Sequence, residues 1–161
     1  MNSVMNSVGA HLMFLALSLL GGEGMSAMNV NQEIHTAHQR ILEAKNENER
    51  VTEMRSLVDM LSRLDQDQVG VVDDDSVNRV AVLLETDGDV GRFYGAKALS
   101  SIACRASGAL PALRKALMQA EPIRSDFEPL VLSPAISPYE EIERAIARIE
   151  HAQTCPNSPV Q

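Results

Sequence analysis

The sequence predicts an all-α protein, a short α-solenoid of about two helix pairs with an N-terminal helical cap. Three observations lead there. The 161 residues include no Trp and only 3% aromatics, so the core must come from Ala, Leu, Ile, Val and Met, a mix that favours helix packing over a sheet. The apolar residues recur at steps of three, four and seven. Two stretches, Ser76–Ala103 and Ala109–Glu150, share one order of short helix, turn and second helix.

The opening residues set a question of compartment rather than fold. Leu12 to Leu20 is apolar except for Ser18, too short for a membrane span of about 20 residues but suited to the apolar region of a secretory signal. No Lys or Arg precedes it, and Gly22-Glu23-Gly24 and Met25-Ser26-Ala27 are only fair cleavage sites. An extra apolar helix, a disordered leader, or a true start at Met25 or Met28 are the alternatives. Export, to the periplasm, is favoured over a cytoplasmic location, no stable membrane span is expected, and residues 1–27 are set aside as a leader or signal-like segment.

Residues 28–64 form the N-terminal helical region. Ile34, Ile41, Val51, Met54, Val58, Leu61 and Leu64 mark its apolar face, and the polar run EAKNENER from Glu43 to Arg50 is either an exposed stretch of one helix or a break between two. Residues 65–151 form the repeat domain. Asp65 to Asp75 reads as a connecting turn ending in an N-cap at Asp74 or Asp75. Ser76 to Glu85 is a short helix with Val77, Val80, Ala81 and Leu84 on one face. A turn at Thr86–Asp89 precedes a helix from Arg92 to Ala103, whose buried stripe is Gly95 or Ala96, Leu99, and Ile102 or Ala103. Pro111 fits the first turn of the next helix, with Leu110, Leu113, Leu117 and Met118 as its apolar stripe. Pro122, Pro129, Pro134 and Pro138 then interrupt helical structure, and a last helix runs from Tyr139 to His151 with Ile142, Ala145, Ile146 and Ile149 inward. Residues 152–161 read as a flexible tail.

The two units align. Leu84 corresponds to Leu117, 33 positions on, and Ala98-Leu99-x-x-Ile102 corresponds to Ala145-Ile146-x-x-Ile149. Gly91-Arg92 corresponds to Ile123-Arg124, and the second unit carries a proline-rich insertion around Phe127 to Ser137. Self-similarity at this period marks a helical solenoid, because one pair cannot bury its apolar face alone. The turn aspartate Asp89, then Arg92, then Ala96, Ala98, Leu99 and Ile102, followed by Ala109-Leu110-Pro111-Ala112-Leu113, resembles the bacterial HEAT-like repeats. Gly91 departs from that pattern, which has Val there. The resemblance covers Ser76 to Leu117 best. It implies an α-solenoid that binds other proteins and names no partner.

Chemistry is sparse. Asp plus Glu number 22 against 14 Lys plus Arg, a net charge of −8 with no basic run, which argues against nucleic acid as a partner. Gly88, Gly91 and Gly95 do not have phosphate-loop spacing, and Lys97 does not complete one. Gly88 is read as allowing the turn, Gly91 as loosening the helix start and Gly95 as permitting close helix contact. Asp65, Asp67 and Asp73 fall at EF-hand-like positions in DQDQVGVVDDDS, but Val69 and Ser76 replace two ligands, so capped turns are favoured over a metal. Glu33, His35 and His38 share a helix face without a further zinc ligand. Cys104 is read as a small buried residue and Cys155 as a free thiol in the tail, a bridge between them being the alternative. No cofactor or catalytic set is expected. Arg92, Phe93, Tyr94 and Lys97 are the candidate partner-binding residues, because aromatic and Arg side chains anchor interfaces. Phe127, Leu130 and Val131 raise the same question. The expected function is a non-catalytic protein-binding module, and the competing class is an enzyme or accessory subunit of the HEAT-like lyase type.

Overall fold

A computed structural model describes residues 27–120 and 137–152 together with Cys155. Every regular element among these residues is helical. The helices are α1 (Ala27–Glu43), α2 (Glu47–Ser62), α3 (Gln66–Gly70), α4 (Asp74–Val82), α5 (Gly88–Ser101), α6 (Leu110–Gln119) and α7 (Pro138–Glu150). Short 3₁₀ turns at Leu83–Glu85 and Ala106–Ala109 extend α4 and lead into α6. No helix of the described residues is long and apolar enough to cross a membrane.

Local chemistry explains most boundaries. The polar run after Glu43 is a break, not a continuous helix. Asn46 caps α2 by accepting from the Glu49 amide at 2.9 Å, and Glu49 reaches back to the Lys45 amide at 2.9 Å. The segment expected as a turn from Asp65 to Asp75 contains α3. Asp65 and Gln68 form a reciprocal capping box there, at 2.8 and 3.0 Å. The α4 cap is Asp73 rather than Asp74 or Asp75. Its carboxylate accepts from the Ser76 amide at 2.7 Å, which leaves the other two acids in the first turn, where the positive helix end favours them. Pro111 and Pro138 sit in the first turns of α6 and α7, where a missing N–H costs nothing.

Packing is pairwise. α1 lies against α2, α4 with its 3₁₀ extension against α5, and α6 against α7. Across the pairs, α1 meets α4, α2 meets α5, and α5 meets α7. α5 is therefore the central helix. Its Ala98, Leu99 and Ile102 are fully buried, as are Leu113 of α6 and Ile142 and Ala145 of α7. One apolar cluster joins residues from α1 through α7, so the N-terminal helices and the repeat region share a core. Burying a Leu or Ile of this kind contributes about 1.5–3 kcal/mol. Met118, assigned to the α6 stripe from sequence, is 81% exposed, because Leu113 and Ala116 already fill the inward face.

The entry to α5 departs from ordinary capping. Asp87 (φ 54°) and Gly88 (φ 57°) both adopt the left-handed conformation, and no side chain caps the helix. The chain doubles back so tightly that a Cβ on Gly91 would stand 1.5 Å from the Thr86 carbonyl oxygen. Gly91 thus does not loosen the helix start; it admits the preceding turn. Arg50 of α2 forms an ion pair with Asp87, so the turn is also held from the neighbouring pair.

Two contacts tie the stack together in ways that periodicity does not reveal. Asn31 on α1 donates to the Val71 carbonyl at 3.1 Å and accepts from the Asp73 amide at 3.1 Å and the Ser76 hydroxyl at 2.9 Å. Cys104, just after α5, is joined by a disulfide to Cys155, with Cα atoms 5.4 Å apart. This overturns the reading of Cys155 as a free thiol in a loose tail. Cys155 is buried, 4% exposed, where the bond holds it to the residues just after α5.

Candidate partner-binding surface

The four candidate residues occupy one turn and a half of α5, and the structure separates them into core and surface. Tyr94 is only 6% exposed. Its ring packs in the core, and its hydroxyl accepts from the Arg55 guanidinium of α2 at 3.4 Å. It is therefore a packing residue, not a surface anchor. The reason is helix phase: Gly91, Tyr94, Ala98 and Gly95 share the face turned toward α2 and α4. Arg92 is largely covered. It pairs with Asp89 at 2.8 Å, one turn back, which makes it part of the helix framework.

Phe93 and Lys97 remain at the edge. Phe93 is half-buried and meets Tyr94 edge-on, with ring centroids 5.2 Å apart at 87°. The Lys97 ammonium lies 5.6 Å from the Phe93 ring centroid, within reach of a cation–π attraction. Lys97 and Arg55 are both exposed, Lys97 beside the partly open Phe93 ring and Arg55 at the hydroxyl of the adjoining Tyr94, on an acidic protein. Arg55 was missed from sequence. Nothing at the sequence level links it to Tyr94 across 39 positions. Phe127, Leu130 and Val131 lie outside the described residues.

The remaining chemical candidates are dispersed. Asp65 and Asp73 spend their carboxylates on helix caps, and Val69 and Gly70 between them are buried. Among the described residues no group of three or more His, Cys, Asp and Glu side chains could hold a metal ion. Glu33 lines the groove between α1 and α2 beside Arg40 and Glu53, whereas His35 lines a different groove with Asp73 and Asp75. The three glycines make no open phosphate cradle. Gly91 is closed by Thr86, and a Cβ on Gly95 would lie 3.1 Å from the Leu84 side chain and backbone.

His38 is buried, and its Nε2 has no hydrogen-bond partner. Burial lowers its pKa below the usual histidine value, helped by nearby Arg79 and His35 and opposed by Asp75. The unfolded chain regains the ordinary value of about 6.5. Between the lowered folded value and about 6.5, the unfolded state therefore binds the extra proton. The stability associated with neutral His38 is complete above that window and is lost as pH falls through it. Urea unfolding at pH 7.5 and pH 5.5 is expected to show a drop in stability that His38→Gln reduces. An equal drop in both proteins would remove His38 as its source.

Comparison with known proteins gives no significant match: no family model, no curated protein and no solved structure.

Proposed function

We propose that the chain is a non-catalytic protein–protein interaction module built on HEAT-like helix pairs. The observation that carries this reading is the order of packing. Pairs α1–α2, α4–α5 and α6–α7 follow one another, and like-placed helices stack, α1 on α4 and α2 on α5 on α7. That alternation supports a short solenoid with α1–α2 as the N-terminal cap, although α6 meets the α4 segment through the 3₁₀ turns rather than directly. Solenoids bind through the exposed surface of one helix row, by analogy with the fold class. In this chain the row of α2 and α5 offers Phe93 with Lys97 beside its ring, and Arg55 on α2 at the neighbouring Tyr94 hydroxyl. An aromatic ring with a cation beside it suits a partner with an acidic or carbonyl-rich surface around an apolar anchor.

The test is capture from the native cell with tagged protein, read by mass spectrometry, for the wild type and for Phe93→Ala combined with Lys97→Ala. The double variant is expected to keep its helical circular dichroism and lose the captured partner. Capture of the same proteins by both would sink the assignment to this surface. Loss of helical signal would instead make Phe93 a core residue.

A further inference from the structure

The disulfide does not lie in a sealed core. It borders a cleft of about 710 Å³ formed where α2, α5 and α7 end, lined in part by Leu64, Cys104, Arg148, His151 and Cys155. That volume lies in the range used by small-molecule sites, about 300–1,000 Å³. The two sulfurs are unequal: Cys104 is half-buried, whereas Cys155 is buried. Among the described residues no carboxylate lines the cleft, although the chain carries a net charge of −8. Arg148 is exposed on its wall and makes no ion pair among the described residues. The ends of α5 and α7 add partial negative charge there, about half an elementary charge each. A guanidinium nevertheless offers a carboxylate two directed hydrogen bonds that a helix end does not.

We infer that the Cys104–Cys155 disulfide is a thiol-exchange site, reached through this cleft by a small thiol that carries a carboxylate. The thiolate of the incoming molecule attacks Sγ of Cys104, the more exposed of the two residues. The Cys104–Cys155 bond breaks, and Cys155 Sγ leaves as a thiolate and takes a proton from solvent. One disulfide is consumed and one mixed disulfide forms on Cys104, so no external oxidant or reductant is needed. Arg148 holds the carboxylate of the incoming thiol and acts as a positioning residue. Exchange cuts the covalent tie between the end of α5 and the chain after α7, which makes the site a means of modifying the last helix pair.

Glutathione is the probe, and 2-mercaptoethanol is the uncharged comparison. Both are added to the full-length protein in the absence of denaturant, at matched thiolate concentration and with rates corrected for thiol basicity. The reaction is quenched by alkylation and mapped by peptide mass spectrometry. The expected result is one glutathione on Cys104, an alkylated Cys155, and unchanged helical circular dichroism. Glutathione is expected to react about fivefold faster than 2-mercaptoethanol, the scale of one exposed ion pair. Arg148→Ala, an exposed position that leaves folding intact, is expected to remove that advantage without slowing 2-mercaptoethanol. An adduct on Cys155, exchange only in unfolding concentrations of urea, or an Arg148→Ala protein that keeps the glutathione advantage would each overturn the proposal.

Discussion

Replacing Gly91 by alanine is expected to cost about 3 kcal/mol or more, the upper part of the range for forcing extra atoms into a packed site. The argument is geometric. The added methyl would stand 1.5 Å from the Thr86 carbonyl oxygen and 2.5 Å from that of Leu83, both backbone atoms that cannot rotate away. The turn at Asp87 and Gly88 would have to reopen. That turn fixes how α4 meets α5, and α5 carries contacts to α2 and α7 as well. The effect therefore spreads beyond the local clash. Thermal unfolding followed by circular dichroism is the measurement, with a fall in Tm of about 10 °C or more. Gly108, whose substituted Cβ would meet nothing within 4 Å, supplies the control, and Gly108→Ala is expected to be close to neutral. If Gly91→Ala melts with the wild type, the turn preceding α5 does not fold as described.

Cys155→Ser is the second large effect. The bond joins positions separated by 51 residues, and closing a loop of that length restricts the unfolded chain by about 4 kcal/mol in the chain-entropy view. A reducing agent is expected to bring the wild type down to the stability of the variant, while the variant itself does not respond. Should reduction leave the wild-type Tm unchanged, either the bond does not form or the unfolded chain is already compact enough that closure costs nothing. Cys104→Ser should give the same loss, since each single variant breaks the same bond.

Much of the architecture is legible from side-chain periodicity. Leu84, Leu99, Ile102, Ala145 and Ile149 repeat because helices must present one face inward, and each is buried. Pro111 marks a helix start for a reason that any sequence displays, the lost N–H, whereas Pro138, read as an interruption before a helix from Tyr139, is itself the first residue of α7. What sequence reading missed falls into two kinds. Some of it was local and readable: the Asp65–Gln68 box has ordinary capping spacing, and Asp73 sits one residue before the acids chosen as caps. The rest depends on distance in space. Asn31 faces Val71 and Asp73 across 40 and 42 positions, and Arg55 faces Tyr94 across 39. Tyr94 looked like an anchor because an aromatic beside an arginine is common at interfaces, yet one-residue differences in helix phase decide whether the ring points in or out. Gly91 is the clearest case. A departure from the repeat pattern looked like a loosening and is instead a steric requirement set by a carbonyl five positions earlier.

The disulfide also bears on how the protein comes apart. In a stack where each pair leans chiefly on its neighbour, opening starts at the ends, because a terminal pair has one interface to lose rather than two. Among the described residues the α6–α7 pair rests on the other helices mainly through the contact of α7 with α5. A covalent link from the end of α5 to the residue after α7 keeps that end from peeling away on its own. With the bond intact, the last pair and the middle pair must open together. Opening is thereby directed toward α1, which among the described residues is held by Asn31 and by side-chain packing.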